Sequence, residues 1–214
     1  MHAATPAEAL PDDVPAAAEA PRKRPRPGER RVQILQTLAG MLEQPGSERI
    51  TTAALAAKLE VSEAALYRHF ASKAQMFEGL IEFIESSIFT LVKQIGEREA
   101  SGLVQAQKIV AVLLQFGERN PGMTRVMVGD ALVYENERLV ARMNQFFDRI
   151  ESALRQGLRQ AAEASGSATP TVDAQAQASV LISFVIGRLQ RYARSGFKRM
   201  PSEQLEPALR MLLG

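Results

Sequence analysis

Side chains able to make or break covalent bonds are scarce in this chain, and that scarcity narrows its function before any fold is considered. There is no Cys, which removes thiol nucleophiles, thiolate metal sites and disulfides. Of the two His residues, His2 lies in a Pro/Ala-rich N-terminal segment and His69 ends a short helical pattern, so no His pair is placed to hold a metal. No Gly-rich phosphate loop and no nucleophile elbow occur. Acid pairs such as Glu82/Glu85 and Glu135/Glu137 sit among basic residues, as on a solvated helix face. The expectation is a protein that is not an enzyme and needs no cofactor or metal. Recognition chemistry is better supplied. Between residues 51 and 73 the hydroxyls of Thr51, Thr52, Ser62 and Tyr67, the imidazole of His69 and the ammonium of Lys73 are all suited to phosphate oxygens. Ala64 and Ala65 are small enough to let backbone approach base edges or thymine methyls, and Arg68 suits either a guanine or a phosphate.

Positioning that set requires two short helices and a tight turn. Thr51 or Thr52 is placed to N-cap a helix holding Leu55, Ala56 and Leu59, and Ser62 caps a second over Glu63–Phe70. With Leu55, Ala56, Leu59, Val61, Leu66 and Phe70 inside, Glu63, Ala64, Ala65, Tyr67, Arg68 and His69 are left outward. This is a helix-turn-helix, whose second helix can enter the major groove of double-stranded DNA. Ser72 and Gln75 then form a capping box opening a helix at about 73–95, with Phe77, Ile81, Ile84, Ile88, Leu91/Val92 and Ile95 in one stripe. At ~100° per residue, Phe83 falls about 120° from that stripe, on the flank with Met76. It is either an exposed aromatic or a contact to a neighbouring helix.

Helical periodicity covers almost everything else. A helix at 29–44 precedes the helix-turn-helix, and helices at about 103–118, 132–163, 172–195 and 202–213 follow, with a short segment near 123–129 after the Asn120–Pro121–Gly122 break. The expected fold is all-α. Residues 1–27 hold six of the eleven prolines and read as disordered, and the run RKRPRPGERR (22–31) is either a solvated linker or a basic arm that neutralises phosphates. The expected organisation is a tail at 1–28, a DNA-binding domain at 29–73 and a dimerisation and partner-binding domain at 74–214. No apolar run approaches the roughly 18 residues of a bilayer span, and no signal peptide is evident. A cytoplasmic protein is expected.

The tract ITTAALAAKLEVSEAALYRHFASK (50–73) resembles the DNA-binding segment of the TetR family of dimeric bacterial regulators, most typically in YRHFASK. Glu60 departs from the glycine common in that turn, where a left-handed conformation costs about 1–2 kcal/mol for other residues. MFEGLIEFIESS (76–87) and FGERNPGMTRVMVGDALVYENERL (116–139) are further similar to the TetR-type nucleoid occlusion factors, and the match runs from about Arg30 to Phe197. That resemblance implies a homodimer that binds scattered chromosomal sites and antagonises polymers of the division protein FtsZ. The partner surface it implies lies near Phe83, Arg119 and Asn120, with Leu91 standing where a basic residue would suit an acidic peptide. It requires no small-molecule ligand. A ligand-responsive repressor and a purely architectural DNA binder are the competing readings; the 116–139 tract favours the division inhibitor. Dimerisation is expected through the helix around 180–192 and the final helix, with Leu181, Phe184, Val185 and Leu189 at a four-helix interface.

Overall fold

Polar caps and helix-breaking residues set where the elements start and stop. A computed structural model describes residues 28–44 and 49–214; the tail through residue 27, with most of its basic run, lies outside them. Among the described residues every regular element is helical: α1 (Glu29–Leu42), α2 (Thr52–Lys58), α3 (Glu63–Tyr67), α4 (Lys73–Arg98), α5 (Gly102–Arg119), α6 (Pro121–Met127), a 3-10 turn (Asp130–Leu132), α7 (Glu137–Ala164), α8 (Pro170–Arg194) and α9 (Leu205–Leu213). Thr51, not Thr52, caps α2, its hydroxyl accepting from the Ala54 N–H at 3.1 Å. Ser62 accepts from Ala65 and Ser72 from Gln75 in the same way. The Gln75 side chain reaches back one residue beyond the cap, to the N–H of Ala71.

The helix expected from residue 132 begins at Glu137 instead. Gly129 turns the chain at φ 83°, the 3-10 turn follows, and Asn136 caps α7 by accepting from Arg138. The proline at the start of α6 has the opposite effect, since its missing N–H costs nothing at a first helical position, and α6 begins at Pro121 rather than near 123.

α4 is the shared strut. It packs on α1, α5, α6 and α7. It therefore buries more than the expected stripe: Met76 and Leu80 are fully enclosed along with Phe77, Ile81, Ile84 and Ile88, while Leu91 is exposed. Ile34, Leu38 and Leu42 of α1 join Leu55, Leu66 and Phe70 beneath the two short helices. α7 and α8 pack against each other along their lengths and both lie on α5. α6 ties the two halves together, lying on α1 and on α8. Its Gly122 touches α1 directly: a Cβ there would stand 2.1 Å from the Ala39 carbonyl oxygen, so only glycine permits the approach.

The expected dimer residues need correction. Leu181, Val185 and Leu189 are wholly enclosed within the single chain, with a Leu189 methyl against Gly117 of α5. The outward face of α8 carries Val172, Ala176, Val180, Ser183 and Gly187 with half-buried Phe184, and α9 adds Met211, 88% exposed. Of the four expected residues, Leu181, Val185 and Leu189 are taken up by the chain's own core, and Phe184 alone lies toward the outward side.

Candidate nucleic-acid and partner interfaces

The turn between α2 and α3 is closed by backbone. Val61 donates to the Ala56 carbonyl at 3.0 Å, and Glu60 sits at φ 54° in the left-handed region anticipated for it. Leu55, Ala56 and Leu66 fill the inside, which leaves Thr51, Ser62, Glu63, Ala64, Tyr67 and Arg68 exposed, with Thr52, Ala65 and His69 partly so. The candidate set is thus divided between the start of α2, at Thr51 and Thr52, and α3 with the residues that flank it. A capping hydroxyl used as an acceptor keeps its proton to donate, so Thr51 and Ser62 can cap and still bind a phosphate oxygen. Glu63, which alone would repel phosphate, accepts from the Thr52 hydroxyl at 2.5 Å and sits in the favourable first turn of α3.

Two cations behave differently from their sequence reading. Arg31, read with the basic arm, donates to the His69 carbonyl at the end of α3 and lies 4.1 Å over the Phe70 ring. A cation at a helix C-terminus is favourable, and this one fixes the recognition helix to α1. Lys73, expected to meet a phosphate, pairs with Glu135 just after the 3-10 turn and lies 5.6 Å over the Phe77 ring. That pair heads a seam between α4 and α7: Arg138 bridges to Glu78 at 2.6 Å, Arg142 donates two bonds to Glu85, and Arg149 stacks on Phe89 at 3.8 Å. The Glu85 hydrogen bonds hold the Arg142 guanidinium above its ordinary pKa, against a smaller opposing effect of burial. Apart from Lys73 over Phe77, one turn on in the same helix, none of these partnerships is visible locally, because the partners are distant in the chain.

The other flank of α4 meets α5. Phe83 is 47% exposed, its ring 6.2 Å from that of Phe116, so it both packs and faces solvent. Asn120 caps the end of α5 by donating to the Phe116 carbonyl at 2.8 Å. Phe83, Phe116 and Asn120 therefore form one chain of contacts, with exposed Arg119 beside it. Asn120 is partly buried and structural in this arrangement, whereas Phe83 and Arg119 present free surface. Among the described residues no cluster of His, Asp and Glu could hold a metal ion, and no helix is long and apolar enough to cross a membrane.

A helix-turn-helix riding on a long helix that continues into an all-helical body is the architecture of a TetR-type DNA-binding regulator. Residues 34–80 match the family described as bacterial regulatory proteins, tetR family, and residues 100–213 match the tetracyclin repressor-like, C-terminal domain of SlmA-like type. Solved TetR-type regulators share the fold: PfmR of Thermus thermophilus superposes with a TM-score of 0.70 at 20% identity, covering 85% of this chain and 97% of its own. Much nearer in sequence is the nucleoid occlusion factor SlmA of Photobacterium profundum, 52% identical over 178 residues, 83% of this chain and 90% of the relative. SlmA of Aliivibrio fischeri is 53% identical over 180 residues, 84% of this chain and 91% of the relative. The chain belongs to the TetR family and, within it, to the SlmA group of nucleoid occlusion factors.

Proposed function

We propose that this protein binds chromosomal DNA as a homodimer and, from the flank of α4, contacts FtsZ so that the division septum does not assemble over the nucleoid. In this reading it works in the cytoplasm, associated with the nucleoid. The relatives' name supports the biological setting. Within the molecule the reading is carried by Phe83. A half-exposed phenylalanine gives up part of the roughly 1.5–3 kcal/mol that full burial would contribute, which favours a surface waiting for a partner. It stands ten residues beyond Lys73 on the same helix, about 15 Å along the axis, so one rigid element serves both sites. Leu91 adds a second exposed apolar side chain about two turns further along α4, and Arg119 supplies a cation for an acidic partner segment.

Ser62, Ala64, Ala65, Tyr67 and Arg68 are the residues assigned to the groove, with Thr51 and His69 at its phosphate edges and Thr52 joining them when its hydroxyl turns from Glu63. The outward faces of α8 and α9 meet their symmetry mates, setting the two recognition helices one DNA turn apart, about 34 Å.

The test is light scattering by polymerising FtsZ, with this protein alone and with a duplex carrying its binding site. The protein is expected to suppress assembly most strongly when DNA-bound. Phe83→Ala is expected to keep DNA affinity and lose at least about tenfold in potency, an interface hot-spot loss. Full potency in Phe83→Ala would remove this surface from the proposal.

A further inference from the structure

We infer that Glu135 is a brake on DNA affinity, a positioning residue that acts by holding Lys73 away from the phosphate backbone; the inference rests on the assignment of α3 and the start of α4 to DNA. Lys73 is the first residue of α4, at the DNA-facing end of that helix, and its ammonium is the side chain there best suited to a phosphate. Glu135 holds it instead, with side-chain exposures of 24% for the lysine and 10% for the acid. A pair this enclosed is screened by salt far less than a surface pair. Moving Lys73 to a phosphate would strand a largely buried carboxylate, so the exchange is opposed.

The acid is held firmly in place. Its N–H donates to the Leu132 carbonyl at 3.0 Å, the 3-10 turn is closed by Leu132 on Gly129, and Arg138 and Arg142 fasten the following helix to α4. A carboxylate from the body of the protein thus neutralises a cation of the DNA-binding end.

The proposal is tested by anisotropy titrations of a labelled duplex of about 30 base pairs across a salt series, with full-length protein. Each phosphate contact contributes a slope of about −0.9 in log K against log salt. Glu135→Gln is expected to tighten binding several-fold at low salt and steepen the slope by about two per dimer. Lys73→Gln alone is expected to leave affinity nearly unchanged, and in that background Glu135→Gln is expected to give no steepening. An unchanged slope in Glu135→Gln overturns the inference, as does a steepening that persists without Lys73. A fall in melting temperature with wild-type slope would make the pair purely structural. Arg68→Ala serves as the reference: if it binds as the wild type does, the assignment of α3 to DNA fails, and the brake with it. If only Glu135→Gln is silent, the DNA face stands and the brake does not.

Discussion

The recognition end and the α8–α9 end are both built from short-period helical patterns, yet they differ in how many of their faces are apolar. α2 and α3 each have one buried side and one outward side of alanines and polar residues, and are capped by Thr51 and Ser62, so a single pattern defines what points inward. α8 has an apolar row on each side: Leu181, Val185 and Leu189 against α5 and α7, and Val172, Val180 and half-buried Phe184 toward solvent. Periodicity reports that such a helix has two apolar sides. It does not report which of them the chain itself covers. An apolar helix face left bare in the isolated chain is the signature of a surface completed by association.

This comparison can be broken by substitutions on the two faces of α8. Leu181→Ala is expected to cost about 2–5 kcal/mol in chemical denaturation, because it opens a cavity in a closed core. Its neighbour Val180→Glu is expected to leave the fold in place and raise the dimer dissociation constant by at least about a hundredfold, since it would bury facing charges at a two-fold seam. Sedimentation velocity reads the second effect and circular dichroism the first. If Val180→Glu remains dimeric at nanomolar concentration, the outward row is not the interface.

At the recognition end the effects are smaller and fall on binding. Arg68→Ala is expected to weaken DNA affinity about tenfold or more, within the 1–3 kcal/mol of a specific base contact, with the dimer intact. A mobility-shift titration checks it, and no loss would separate α3 from the groove. The smallest expected change is in the turn. Glu60→Gly should raise stability by about 1 kcal/mol by relieving the left-handed residue, seen as a rise of a few degrees in melting temperature. An unchanged melting temperature would mean that contacts of Glu60 offset its backbone cost.

The elements and the core of the recognition end were legible because each cue is local. Thr51, Ser62 and Ser72 precede the apolar rows they cap, and Glu60 occupies a turn one residue before a buried-side Val61. The long-range contacts of the cations were not legible. Arg31 meets the His69 carbonyl and Lys73 meets Glu135 across 38 and 62 residues of chain. Nothing in the RKRPRPGERR run distinguishes the arginine that fastens α3 from those around it. The enclosure of Met76 and Leu80 has a similar cause, since α4 is covered from several directions and a one-stripe reading captures only the first. The late start of α7 followed from Gly129, whose positive φ admits a turn that a continuous apolar pattern concealed.

The contact at Gly122 has a mechanical consequence. Where two helices meet through side chains, rotamer changes let one slide over the other at modest cost. At Gly122 the backbone of α6 rests on the Ala39 carbonyl with no side chain between them, and hard surfaces in contact cannot slide without first lifting apart. At this point the joint between the DNA-reading end and the body is therefore expected to resist sliding. In the proposed reading, a partner docked beside α5 would then keep a near-constant offset from the DNA bound at the other end.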